Sequence, residues 1–183
     1  AWVDPQGVLT AKSRQIMSRI ATELELEARY TVRADFVLRR AYATYVIIGL
    51  NLLVFALEVK SGGSKNFNTL YRLGALVPQE VLAGAWWRLL SSTFLHFGFL
   101  HLLMNMLGLY VLGPFVEFAL GVPRYLLSYF TAGVGSMLIV SILTVMGYSN
   151  AELVVGASGS IMGIIGVTAA IWLRVWQREK SYL

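Results

Sequence analysis

The sequence predicts an all-α protein, a bundle of helices passing several times through a membrane, and three observations carry that expectation. Hydrophobic residues make up 57% of the chain against 14% charged, and the mean hydropathy of +0.65 lies outside the range of ordinary soluble domains. Four apolar segments each approach the roughly 20 residues that a helix needs to cross a hydrocarbon core of about 30 Å. The basic residues gather mostly in the flanks of those segments, where juxtamembrane Lys and Arg sit.

The same features exclude several function classes. A formal charge of +5 spread along apolar flanks points to anionic lipid as the partner and not to nucleic acid. With no cysteine, neither a disulfide framework nor a thiolate zinc site is available. The opening "AWVDPQG" has no methionine and no signal-peptide pattern, so a processed or trimmed start is expected.

In chain order, Ile16, Ile20, Leu24 and Ala28 recur every fourth position among Lys, Arg and Glu, the pattern of an amphipathic helix over residues 10–30. Residues 1–40 therefore read as an amphipathic segment outside the hydrocarbon, cytoplasmic or interfacial, and residues 41–183 as the membrane domain. The spans are expected at 41–57, 93–116, 125–148 and 153–173, the first being short and ending before Glu58. Between the first two, "KSGGSKNFNTLYRLGALVPQEVLAGAWWR" is too rich in Gly, Asn and Pro for one helix. Its Leu70, Leu76, Val77, Trp86 and Trp87 predict packing on protein or at the membrane interface, the level that suits tryptophan. Arg39 and Arg40 before the first span, with Arg174, Arg178 and Lys180 after the last, put both ends of the chain on the cytoplasmic side. Lys60, Lys65, Arg72 and Arg88 in the long connection pull the other way.

Polar groups in hydrocarbon cost several kcal/mol unless satisfied, so those inside the spans need a reason. In "HFGFLHLLMN", His101 and Asn105 stand four apart and share a helix face with Gly98 and Gly108. His96, five residues before His101, is expected to point elsewhere, near the helix mouth. That face reads either as interhelical glue or as a set of hydrogen-bond donors for chemistry. In the fourth span, Gly159 and Gly163 form a small-xxx-small pair that admits a neighbouring helix. Beside them Ser158 reads either as one more small packing residue or as a nucleophile at a helix start, where free backbone N–H groups can hold developing negative charge. Two histidines five apart with no nearby carboxylate do not make a metal site.

Together these residues resemble the rhomboid family of intramembrane serine proteases. The family's glycine-x-serine-glycine motif is similar to Gly156, Ala157, Ser158 and Gly159, and its pattern of two histidines and an asparagine to His96, His101 and Asn105. Its tryptophan-arginine pair in the first loop is similar to Trp87 and Arg88, and Glu117 in "GPFVE" stands where the family often carries a glutamate after the second span. The resemblance covers residues 41–176.

It implies a rhomboid-like bundle with four spans present of an expected six, and a serine endopeptidase that cleaves membrane-anchored substrates. Ser158 would be the nucleophile, His101 and Asn105 would stabilise the oxyanion, and His96, Gly156 and Gly159 would support them. The implied partners are the lipid bilayer and transmembrane protein substrates, with other membrane subunits a further class; no metal or cofactor is implied. The family's base is a histidine on the sixth span, and the only histidines here are His96 and His101. This chain alone is therefore expected to be inert, since serine without an adjacent base is a weak nucleophile. Met162 stands where the family often has an aromatic residue one turn after the serine. The alternative is a catalytically silent relative that binds membrane helices as a chaperone or assembly partner.

Overall fold

A computed structural model describes residues 10–38 and 41–180, and the chain divides into two units between Arg40 and Ala41. The first unit is helix α1 (Ala11–Leu38), which runs beyond the Tyr30 at which the spacing of apolar residues ends. Thr10 starts it: the Thr10 hydroxyl accepts the Ser13 N–H at 3.3 Å and pairs with the Ser13 hydroxyl at 2.7 Å, satisfying one of the donors that a helix start leaves open. Its Ile20 and Leu24 are exposed. Arg39 and Arg40 lie outside the described residues, as do the side chains of Ala28 and Arg178.

The second unit is a helical bundle of α2 (Tyr42–Lys60), α3 (Phe67–Leu73), α4 (Pro78–Leu82), α5 (Arg88–Ser91), a 3-10 turn at Ser92–Phe94, α6 (Phe99–Leu120), α7 (Val122–Val145) and α8 (Ser158–Lys180). Four of them, α2, α6, α7 and α8, are long and apolar enough to cross a membrane, so the expected fold class holds. Their bounds differ from the expected ones in an instructive way. The second helix begins at Phe99 and not at residue 93, and the fourth begins at Ser158 and not at residue 153. Apolar residues ahead of each pack on protein: Leu95 is buried with Leu70 and Ala75, and the partly buried Val154 pairs with Leu76 through two backbone hydrogen bonds of 3.0 Å. Hydropathy records burial without saying whether lipid or protein supplies it. Conversely, α2 runs past residue 57 to Lys60 and carries Glu58, fully buried, inside it.

The long connection folds onto the bundle, as its composition predicts. Asn66 caps α3 by accepting the N–H groups of Asn68 and Thr69, and Gly74 ends it in the left-handed conformation at φ +104°. A Cβ there would strike Trp87 and Ser91, so glycine is required twice over. Arg88 is the pin of this region. Its guanidinium donates to the carbonyls of Tyr71 (3.0 Å) and Ala75 (2.7 Å), pairs with Glu80 at 2.8 Å, and lies over the rings of Tyr71 and Trp87. The planar fork of arginine suits this set of acceptors, and the ion pair takes one basic residue out of the charge balance of the loop.

Helices α2 and α6 run antiparallel and are fastened at both ends by buried carboxylates. Glu117, near the end of α6, accepts the N–H groups of Ala43 (3.0 Å) and Thr44 (2.8 Å) and the Thr44 hydroxyl (2.8 Å), which caps the start of α2. Glu58, in the last turn of α2, accepts the His96 N–H at 2.9 Å. The turn from α6 to α7 is a single glycine, Gly121, at φ +76°. Helix α8 packs antiparallel on α7 through Gly159, whose missing Cβ makes room for Ser136, and Gly163, which makes room for Ala132. The expected small-xxx-small seam is thus an α7–α8 seam. Leu109, Val116, Tyr125, Tyr129, Ala157 and Ile164 form the main core.

Candidate active site

The candidate site lies where α6 and α8 begin. Ahead of α8 the chain is held on two sides: Val154 bridges to Leu76, and Gly156 donates its N–H to the Ser92 carbonyl at 2.9 Å. Gly156 has φ +126°, a conformation L side chains avoid. A Cβ added there would lie 2.7 Å from His101 Cε1, 2.8 Å from His101 Nε2 and 3.6 Å from Asn105 Nδ2. The absent side chain is therefore what lets two polar residues of α6, one turn apart, close on the backbone two residues before Ser158.

Ser158 is the first residue of α8, and its side chain is exposed. Backbone N–H groups in the first turn of a helix have no intrahelical acceptor; here the first helical bond is Ile161 N–H to the Ala157 carbonyl. Asn105 is buried, and its Nδ2 has no hydrogen-bond partner among the described residues, which leaves an amide donor available on the face turned to Gly156. His101 Nδ1 accepts the Phe97 N–H at 3.3 Å. An imidazole nitrogen that accepts carries no proton, so in the neutral ring the proton sits on Nε2, the atom beside Gly156. The geometry supplies two side-chain N–H donors and a helix start around one short stretch of backbone. Such an array can stabilise an oxyanion.

His96 lies near the mouth of α6, as expected, but departs from expectation in direction. It lies ahead of α6 in a loop and not on the helix, and its ring meets the His101 ring edge-on at a centroid separation of 5.3 Å. The five-residue spacing misleads because the chain turns at Gly98, φ +86°, before the helix starts. His96 is wholly buried, and burial, with the neighbouring His101, lowers its pKa to about 4, so the ring is neutral near neutral pH.

Of the other residues singled out in the sequence, Gly159 serves the α7–α8 seam, while Trp87 and Arg88 organise the long connection. Glu117 is not in a loop after the second span: it lies within α6, at the end away from His101, holding α2. Sequence reasoning gave no role to Glu58, although an ionisable residue at the end of an apolar run was the available signal. It also passed over Asn51 of α2, Tyr129 of α7 and Ser160 of α8, buried residues in which the Tyr129 hydroxyl faces the other two side chains. Among the described residues no group of three His, Cys, Asp or Glu side chains could hold a metal.

Fold and site together define a class: a polytopic α-helical membrane protein with polar groups gathered between two of its helices. Residues 83–182 match the family model described as "Rhomboid domain", and the chain belongs to the rhomboid family. It is 38% identical over 140 residues to "Rhomboid protease GluP" of Bacillus subtilis, covering 76% of this chain and 26% of that protein. Against "Rhomboid protease AarA" of Providencia stuartii identity is 31% over 155 residues, covering 78% and 55%. Against "RHOMBOID-like protein 6, mitochondrial" of Arabidopsis thaliana it is 36% over 117 residues, covering 63% and 36%. The chain thus spans between about a quarter and just over half the length of these relatives.

Proposed function

We propose that this chain is the N-terminal four-span part of an intramembrane serine endopeptidase that cleaves membrane-anchored proteins. The observation that carries the reading is the closure of His101 and Asn105 on Gly156, two residues ahead of Ser158 at the start of α8. The Ser158 hydroxyl attacks the scissile carbonyl carbon and its proton passes to a general base. The carbonyl oxygen, now negative, takes hydrogen bonds from His101 Nε2, Asn105 Nδ2 and the Ser158 N–H. Collapse of this intermediate breaks the C–N bond, the leaving amine takes the proton, and water then hydrolyses the acyl-enzyme. The donors of this chain are committed to the oxyanion, so the base belongs to a part of the protein beyond residues 1–183. The substrate is a transmembrane protein presenting an extended or unwound segment, because a hydrogen-bonded helix hides its carbonyls. Both ends of this chain lie on the cytoplasmic side, with Arg174 and Lys180 closing α8 there.

In the full-length protein, Ser158 should take up a serine-directed fluorophosphonate and Ser158→Ala should abolish labelling and proteolysis. Equal labelling of both proteins sinks the assignment. A second reading is a catalytically silent relative that binds membrane helices as a chaperone or assembly partner. It gains if the full-length wild type neither labels nor cleaves.

A further inference from the structure

Glu58 has no part in the chemistry just described, yet it is fully buried, sits in the last turn of α2, and commits one carboxylate oxygen to a single backbone group of the site loop. That group is the His96 N–H, at 2.9 Å. The His96 carbonyl in turn accepts the Gly98 N–H at 3.0 Å. A bond from residue i to i+2 closes a three-residue turn, and since among the described residues none other than glycine has positive φ, the turn centred on Phe97 is of the inverse γ type. Such a turn fixes the direction of its central N–H. The Phe97 N–H points to His101 Nδ1 at 3.3 Å, and that contact puts the ring proton on Nε2, against Gly156.

We infer that Glu58 is a positioning residue: by anchoring the His96 N–H it sets the 96–98 turn, and through the Phe97 N–H it fixes the His101 tautomer that donates from Nε2. The inference deepens the proposed peptidase reading and rests on it for its effect on rate, but not for its effect on the ring. Glu58 itself touches no reacting atom. Its role is open to glutamine, whose amide oxygen accepts the same N–H, and closed to leucine, which has no acceptor.

The test uses the full-length protein in detergent or bilayers, with ¹⁵N-labelled histidine and a transmembrane peptide substrate. In the wild type the His101 ring, assigned by difference against His101→Ala, should show a protonated Nε2 and an accepting Nδ1; a proton on Nδ1 overturns the inference with no variant needed. Glu58→Leu should lower kcat about tenfold to a hundredfold, the scale of a displaced but present donor, leave KM within about twofold because substrate is bound elsewhere, and mix the tautomers. Glu58→Gln should restore both readings to within about threefold of wild type, since the acceptor is retained. Phe97→Pro checks the same link from the other side, because proline fits the centre of an inverse γ-turn while removing the N–H. It should also mix the tautomers. Unchanged kcat in Glu58→Leu, or a lowered kcat with the tautomer intact, refutes the assignment. If the wild type shows the Nε2 proton but neither labels nor cleaves, the peptidase reading fails and the positioning role stands.

Discussion

The two ends of the α2–α6 pair are held by the same device used to different ends. At one end Glu117 takes three donors on its two oxygens and caps the start of α2. At the other, Glu58 takes one donor, and its second oxygen has no partner among the described residues. A buried carboxylate is costly unless paired or hydrogen-bonded. The saturated one behaves as a fastening that defines how two helices meet. The half-used one lies beside the candidate site, where its single bond orients a turn instead of closing a helix. For these two carboxylates, then, full use of the oxygens goes with joining helices, and partial use with orienting a loop.

The comparison can be broken most forcefully at Glu117. Glu117→Leu strands the buried Thr44 N–H and hydroxyl and the part-buried Ala43 N–H, the buried groups each costing about 1 to 3 kcal/mol, so the full-length protein should lose on the order of 3 kcal/mol, read as a large fall in thermal midpoint in detergent. A midpoint within a degree of wild type would refute the fastening role. At the site end the effect should fall on activity instead. Gly156→Ala forces a Cβ into the His101 ring at a positive φ and should reduce kcat by about 10² or more, the scale of a lost oxyanion donor, with a stability cost of only about 1 to 3 kcal/mol for the strained residue. Retained kcat would separate His101 from the chemistry.

A third effect, confined to acid, is expected at the same end. His96 has its pKa lowered from 6.5 to about 4 in the folded protein, so between those values the unfolded chain binds the extra proton and stability falls as pH drops. The contribution is complete above about pH 6.5 and is lost progressively toward pH 4. Melting curves across that range should show a slope that His96→Gln reduces; an identical slope in the variant would show that the imidazole is not the group responsible.

How much of this was legible from the chain alone follows from what each feature depends on. The four membrane helices were readable because lipid imposes a length and an apolar composition that show in any window of the sequence. Gly156, Ser158, His101 and Asn105 could be selected as candidates because polar and glycine residues stand out against that background. The starts of α6 and α8 were not readable, because Leu95 and residues 153–155 ahead of them are apolar where they pack on protein. The bearing of His96 is not legible from helical spacing, because Gly98 keeps that residue out of the helix.

By itself, then, the sequence determined that this protein is a bundle of four long apolar helices with a serine and a set of hydrogen-bond donors on different spans, since composition and period are local properties. Only the tertiary structure decided which donors meet which backbone: that Glu117 belongs to α2, that Arg88 locks a loop, that Glu58 reaches the turn ahead of α6, and that His101 and Asn105 close on Gly156. Those pairings join residues as many as 74 positions apart, and what selects them is the packing of whole helices, to which no short window of sequence is sensitive.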